Sequence, residues 1–550
     1  MSSLTNGRLD VNEAQIDAIF TELDRSSLPG VTVGIAVKGR PVYRKGFGRA
    51  SLELPVVLTP TTGMRLGSIS KQFTSLAYML LVEDGLAGLD DPLETYLPEV
   101  KPASRGVTLR QLMGNISGLM DAHDVCFQFS GFGERLTADD LVQHMCEIEI
   151  VNAPPGAVWL YNNSGFELIK TVIERISGQK LAQFMQDRIF DPLGMRQTDL
   201  RAVTYFDFLP NRAQAHMINS VGDWETWSWT EFVGAGGIVS SVDDLLRWTA
   251  NFAEHRVGTA QTWDVMTTSQ TLTSGSPSGY GLGLFVEDYR GVRTLQHSGG
   301  GLGSNAHLLK VPAAELDIVL MSNREDVSAA RYAYKVLDAV LEAELEPRPT
   351  DPAPPPVTGT FRSATTGSVV HLSPTEQRSS AEPARQFATF GPSAGSVLEP
   401  DAAGVLRPLS SGDTPQQSWG LALRGDPGKP DGVTLKEFGL VDELDLVGPS
   451  ADDGRKIAGR YRSAGTGSEL TIEVADGRVT VRTTGRFGTA DYELTAIGED
   501  VWRAGFAPPG TQPRIGDMGS LVSFSPDASE LRWFTKQSMG IPFHRAEGLE

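Results

Sequence analysis

The stretch EPRPTDPAPPPVTG, residues 346–359, constrains this chain more than any other. Proline fixes φ, lacks a backbone donor and clashes with the preceding turn of a helix. Six prolines in these fourteen residues exclude helix interior and central strand, so the run reads as a stiff linker. It divides 550 residues, too many for one compact core, into two unlike parts. Before it, helix and strand patterns mix. VTVGIAVKGRPVYRKGFG reads as a hairpin, two β-rich runs around a Gly-Arg turn. In LGSISKQFTSLAYMLLVEDG, Phe73, Leu76, Ala77, Leu80 and Leu81 mark one face of an amphipathic helix that Gly85 stops. PGAVWLYNNSGFELIKTVIERISG carries a second long helix, and RTLQHSGGG and LDIVLMSN read as strands.

After the linker, helical periodicity fades and short β-type runs separated by Gly, Pro, Asp and Ser take over. GTFRSATTGS, from Gly359, and GRYRSAGTGS, from Gly459, lie 100 residues apart and agree at seven of ten positions. An internal period signals repeated units. Two similar all-β units follow, expected as small antiparallel barrels because closure removes exposed strand edges. The expected organisation is an N-terminal unit over 1–345, a linker over 346–357, and barrels over 358–450 and 451–550.

The formal net charge is -20, and no Lys/Arg cluster overrides it, which argues against nucleic acid and anionic membranes as partners. Two cysteines, Cys126 and Cys146, allow at most one bridge and no zinc spacing. The eight histidines are scattered, with no HExxH, so neither metal nor cofactor is expected. No run of 18 apolar residues and no basic-then-apolar leader occur, and a cytoplasmic location is expected.

Three short motifs carry the chemistry. Ser68 precedes Lys71 by three residues at the mouth of the first helix. The N–H groups of a first turn point outward and favour a developing anion. Lys71 follows one turn on; if buried, it would lose its proton readily and could take one from Ser68. Ser177 and Lys180 repeat the spacing at a helix end without that context, and Ser68 as a plain helix cap is the alternative. Tyr161 and Asn163 stand two apart before the second helix. A phenol can relay a proton, and an amide can hold both a lysine and a substrate carbonyl; packing and capping are the alternative. In LQHSGGGLG, His297 precedes Gly299 and Gly300. Glycines there permit close backbone approach, a substrate paired as an added strand, and an N–H for an oxyanion. The alternative is a glycine-rich turn with a solvent-facing histidine. GPSAG, 391–395, matches a nucleophile elbow, but no helix pattern follows and only His544 lies downstream.

In that order, Ser68/Lys71, Tyr161/Asn163 and His297/Gly299 resemble the signature of the serine β-lactamase and penicillin-binding-protein superfamily: Ser-x-x-Lys, Tyr-x-Asn, then Lys-Thr-Gly or His-x-Gly. PGAVWLYNNSGFELI, IFDPLGMRQTDL and GAGGIVSSVDDLLRW resemble the surrounding stretches in its class C-like branch, peptidase family S12, over roughly residues 10–345. With two trailing β-barrels, the architecture is similar to the bacterial D-aminopeptidases of that family, and GEDVWRAGFAPPGTQPRIGD resembles their last-barrel segment.

The resemblance implies an α+β multidomain chain: a β-lactamase-like catalytic domain, an antiparallel sheet with helices, followed by two antiparallel β-barrels. It implies a serine hydrolase without a cofactor, working through an acyl-enzyme. Ser68 would be the nucleophile, with Lys71 or Tyr161 as base. The N–H groups of Ser68 and Gly300 would hold the oxyanion, and Tyr161, assisted by His297, would protonate the leaving amine. Asn163 and Gly299 would contact substrate. The implied activity is release of N-terminal D-amino acids from short peptides, amides or esters, and a last-barrel loop, Ala504 to Gly519, would enter the cleft. His297 stands where penicillin-recognising relatives have lysine. A mostly neutral side chain suits a substrate carboxylate less, which favours an aminopeptidase, amidase or esterase over a β-lactamase or DD-peptidase. Asn115, where relatives often have histidine, reads as structural drift. An esterase or β-lactamase/DD-peptidase-like hydrolase, a sensor that acylates without turnover, and a homodimer stay open.

Overall fold

A computed structural model describes residues 9, 11–131, 136–200, 209–218, 224–225, 233–301, 303–347, 355–375, 385–390, 393–401, 403–409, 419–437, 440–450, 453–506, 520–535 and 537–546. The first part is built on a six-stranded antiparallel sheet. Its strands are β1 (Val31–Val37), β2 (Arg40–Phe47), β3 (Phe285–Tyr289), β4 (Val292–Gly301), β5 (Ser304–Val311) and β6 (Leu316–Ser322), in the order β2-β1-β6-β5-β4-β3. The β1–β2 turn is Lys38-Gly39, both at positive φ (54° and 69°), not Gly-Arg; Arg40 already pairs with Val37. Two-residue hairpins favour that conformation because it matches strand twist.

Side chains alternate across the sheet. Val31, Val33 and Ile35 pack with Ile16 and Phe20 of helix α1 (Glu13–Phe20) and with Ala333 and Leu337 of the last long helix of this part, Ala329–Leu341. On the other face Gly34 leaves room for Val242 and Leu246, since a Cβ there would stand 2.3 Å from Val242. That face carries the larger core, which includes helix α2 (Ser70–Glu83), helix α3 (Ala122–Ser130) and helix α4 (Ser164–Ser177).

Two closed eight-stranded antiparallel barrels follow, from Gly359 to Leu446 and from Gly459 to Arg545. Eight strands enclose a space that side chains just fill; Phe361, Leu372, Leu398, Leu421, Val433 and Leu444 fill the first barrel. The expected fold class is therefore the observed one. The repeated decapeptide is the opening corner of each barrel. Ser363 N donates to Ser368 O, as Ser463 N does to Ser468 O, both at 2.9 Å, and Gly367 and Gly467 take positive φ. Of the proline run, residues 348–354 lie outside the described residues. Cys126 and Cys146 are buried free thiols. Among the described residues, no helix is long and apolar enough to cross a membrane, and no cluster of His, Cys, Asp or Glu could hold a metal ion.

Candidate active site

Ser68 lies in a single 3₁₀ turn, Gly67–Ile69, that runs directly into α2. No side chain caps that junction, so the Ser68 hydroxyl is not spent on a helix end. It meets Lys71 Nζ at 3.2 Å and acts on the Tyr161 phenol beside it. The decoy pair behaves differently: Ser177 bonds back to Ile173 O at 2.7 Å, and Lys180 is 80% exposed beside Glu174.

Lys71 is 0% exposed. Its amine also donates to Asn163 Oδ1 at 2.8 Å and to Ala235 O at 3.1 Å. Those two partners are acceptors only, whereas a serine hydroxyl can also donate. A Lys71 that loses one proton therefore keeps two N–H bonds and turns its lone pair toward Ser68. Burial pulls the ammonium down to about 7, against the opposing charges of Asp121 and Glu167. Burial pushes the Tyr161 phenol well above its ordinary value, so it stays protonated at neutral pH.

The segment YNNSG divides its labour. Asn162 Oδ1 caps α4 by accepting from Gly165 N at 2.8 Å, which leaves the Asn163 amide for Lys71. Asp121 supplies the rest of the cap: it accepts from Asn163 N at 2.8 Å and from Ser164 Oγ at 2.5 Å. The same carboxylate caps α3 through His123 N at 2.9 Å. One side chain thus joins two helix starts beside the lysine.

On β4, Gly299 is pressed onto the turn that carries Ser68. A Cβ at Gly299 would stand 1.6 Å from Leu66 O, and one at Gly67 would stand 2.7 Å from Gly300 N. A Cβ at Gly300 would meet nothing within 4 Å, so that position borders open space. The arrangement brings the Gly300 backbone next to the Ser68 turn, as an oxyanion pocket needs.

His297 departs from the expected proton relay. Nδ1 lies 2.6 Å from Ser298 O and Nε2 lies 2.9 Å from the Tyr280 hydroxyl. A carbonyl only accepts, so Nδ1 carries the hydrogen and Tyr280 donates to Nε2. Both nitrogens are thus engaged away from Tyr161, whose ring centroid lies 6.1 Å off. Burial, with Lys71 nearby, lowers the imidazole to about 3, so it is neutral at physiological pH. Asn115, read as drift, helps hold the YNNSG segment. At positive φ (55°), it accepts from Asn162 N at 3.2 Å with its side-chain oxygen.

Ser68, Lys71, Tyr161, Asn163, Gly299 and Gly300 therefore share one site, with His297 in its wall. Sequence reading missed Asp121, Glu167, Ala235 and Tyr280. Of these, only Asp121, an Asp directly before a helix pattern, carried a local signal. The expected last-barrel loop falls largely on 507–519, outside the described residues, as do residues 391–392 of GPSAG; Ser393 opens a barrel strand rather than a helix.

A nucleophile turn, a buried lysine and a glycine strand on an antiparallel sheet define an active-site-serine fold. The chain belongs to the Beta-lactamase family, whose model matches residues 16–341. It is 27% identical to the D-aminopeptidase of Gluconobacter oxydans (strain 621H), over 91% of each chain. It is also 27% identical to the D-aminopeptidase of Brucella abortus (strain S19), over 86% of this chain and 87% of that one. The octameric penicillin-binding protein homologue from Pyrococcus abyssi shares the fold, with TM-score 0.54 and 19% identity over 96% of this chain and 98% of that one. The penicillin binding protein from Bacillus halodurans matches with TM-score 0.51 and 21% identity over 60% of this chain and 98% of its own.

Proposed function

We propose that this chain is a serine hydrolase of the D-aminopeptidase type, cleaving amides, short peptides or esters through an acyl-enzyme on Ser68. Neutral Lys71 takes the Ser68 proton as Oγ attacks the substrate carbonyl. The N–H groups of Ser68 and Gly300 stabilise the oxyanion, and Asn163 Nδ2, opposite the oxygen held by Lys71, faces the acyl group. The tetrahedral adduct collapses as the Tyr161 phenol gives its hydrogen to the leaving amine and takes in its place the proton that Lys71 received from Ser68, which leaves Lys71 neutral again. Water then repeats the attack and frees Ser68. Lys71 serves as the base rather than Tyr161, because burial lowers the ammonium and raises the phenol.

One observation carries the choice of substrate: His297 is a neutral imidazole with both nitrogens occupied. Where penicillin-recognising relatives would greet a substrate carboxylate with lysine, His297 offers no fixed cation. A substrate with a free amine meets no such mismatch, and a net charge of -20 does not repel it. The similarity to D-aminopeptidases, which runs through both barrels, supports the same reading.

A substrate panel tests it: D-alanyl p-nitroanilide, its L-isomer, a chromogenic cephalosporin and a short-chain ester, with Ser68→Ala as control. The expected outcome is turnover of the D-anilide in preference to its L-isomer, lost in Ser68→Ala. Cephalosporin hydrolysis exceeding that turnover, or an ester as the sole substrate, overturns it.

A further inference from the structure

We propose that Glu167 is a positioning residue for the Ser68–Lys71 pair: its carboxylate clamps the Gly234–Ala235 backbone so that the Ala235 carbonyl meets the Lys71 amine. Glu167 lies on α4 four residues after Asn163, which puts both on one helix face. It is 0% exposed. Oε1 accepts from Ala235 N at 2.9 Å and Oε2 accepts from Gly234 N at 3.1 Å, so each oxygen holds one of two successive amides. The far side of the segment is tied to α2: Gly234 O accepts from Thr74 Oγ1 at 2.7 Å, and Ile238 N donates to Ser70 Oγ at 3.2 Å. A Cβ at Gly234 would stand 2.3 Å from Phe166 O, so only glycine lets this backbone lie so close to α4. The Lys71 carbonyl partner is thus built from two helices.

A carboxylate accepting from two backbone amides is favoured in its charged form. Burial opposes that and raises Glu167 above its ordinary value, while the two amides, Lys170 and Lys71 pull the other way. Among the described residues, Lys71 on α2 and Lys170 on its own helix are the charged groups that act on it. Lys170 is itself paired with Asp139 and Glu174. Asp121 and Glu167 are the two carboxylates that keep Lys71 from falling further.

Glutamine at 167 has one acceptor oxygen and turns its own N–H groups onto the second amide. It also removes a negative charge from beside Lys71. The site then loses alignment, and its Lys71 titration moves to lower pH. Aspartate keeps the charge but is one methylene too short to span both amides.

The inference rests on Lys71 being the base, so its test does not depend on the substrate. The measurement is the rate at which a fluorophosphonate labels Ser68 across about pH 5 to 9, with the melting temperature alongside. Glu167→Gln is expected to label at least about tenfold more slowly on the plateau, with its acid limb displaced downward by about half a unit or more. Glu167→Asp is expected to be slow with the parental limb. If Glu167→Gln melts earlier but labels at the parental rate and limb, Glu167 is structural only. Should Glu167→Gln fail to fold, parental labelling by folded Glu167→Asp overturns the proposal equally. Lys71→Ala labelled at the parental rate would instead sink the assignment of the base, whatever Glu167 variants do.

Discussion

Lys71 is wholly buried, and all three of its partners come from different stretches of chain: Ser68, Asn163 and Ala235. On the proposed mechanism, removing it leaves the serine without a base. Lys71→Ala is expected to lower kcat/KM about 10²–10⁴-fold, read on whichever substrate of the panel turns over. The sign of the pH dependence follows from the amine. Below about 7 the group is an ammonium and has no lone pair, so kcat/KM falls about tenfold per pH unit on the acid side and levels off above it. A profile flat down to pH 5 would contradict a lysine base. Tyr280 makes a second prediction at this scale. Its hydroxyl satisfies His297 Nε2 in a buried site. Tyr280→Phe leaves that imidazole acceptor unpaired and should cost about 1–3 kcal/mol in urea unfolding. Ser68, Lys71, Tyr161 and Asn163 were legible because their spacing is local and ordered. Glu167, Ala235 and Tyr280 were not: they act by burial and by meeting residues far away in the chain, and a single sequence carries no record of such meetings.

At the scale of elements, the helix behind Ser68 was readable from its apolar spacing, and α2 ends at Glu83 with Gly85 at positive φ, near the expected stop. The role of β4 was less readable. The glycines of HSGG look interchangeable as letters, yet they face different surroundings. Gly299 is in backbone contact with Leu66, while Gly300 borders open space. Two substitutions of one methyl therefore diverge. Gly299→Ala must push the Ser68 turn away from β4 and should abolish acylation, with the fold kept or weakened. Gly300→Ala should leave the unfolding free energy within about 0.5 kcal/mol of the parent. Fluorophosphonate labelling and urea titration separate them, and equal behaviour of the two variants would refute the packing argument.

For the whole molecule, the repeat and the proline run foretold two barrels, but not what the second one holds. Its core is continuous with that of the first part, because α3 ends in its mouth. Gln128 O accepts from Tyr492 OH at 2.7 Å, and Phe129 O from Thr483 Oγ1 at 3.0 Å. The last carbonyls of a helix have no partner within it, and here barrel side chains supply them. The Phe129 ring sits against Phe543 and Trp533, with centroids 5.2 and 5.7 Å away. The other end of α3 starts at Asp121, the cap it shares with Asn163 and Ser164. Nine residues thus span from the barrel to the amide that holds Lys71. No periodicity in the chain announces such a contact, since it depends on where two separately folded units touch. Phe129→Ala empties the barrel mouth and should destabilise the protein by about 3–5 kcal/mol. Because the loss loosens α3 at one end and Asp121 at the other, labelling of Ser68 should slow even at temperatures where the variant is fully folded. Circular dichroism fixes that temperature range, and fluorophosphonate kinetics within it give the rate. Parental labelling by folded Phe129→Ala would mean that the barrel is a passenger on the catalytic unit rather than a support for its active site.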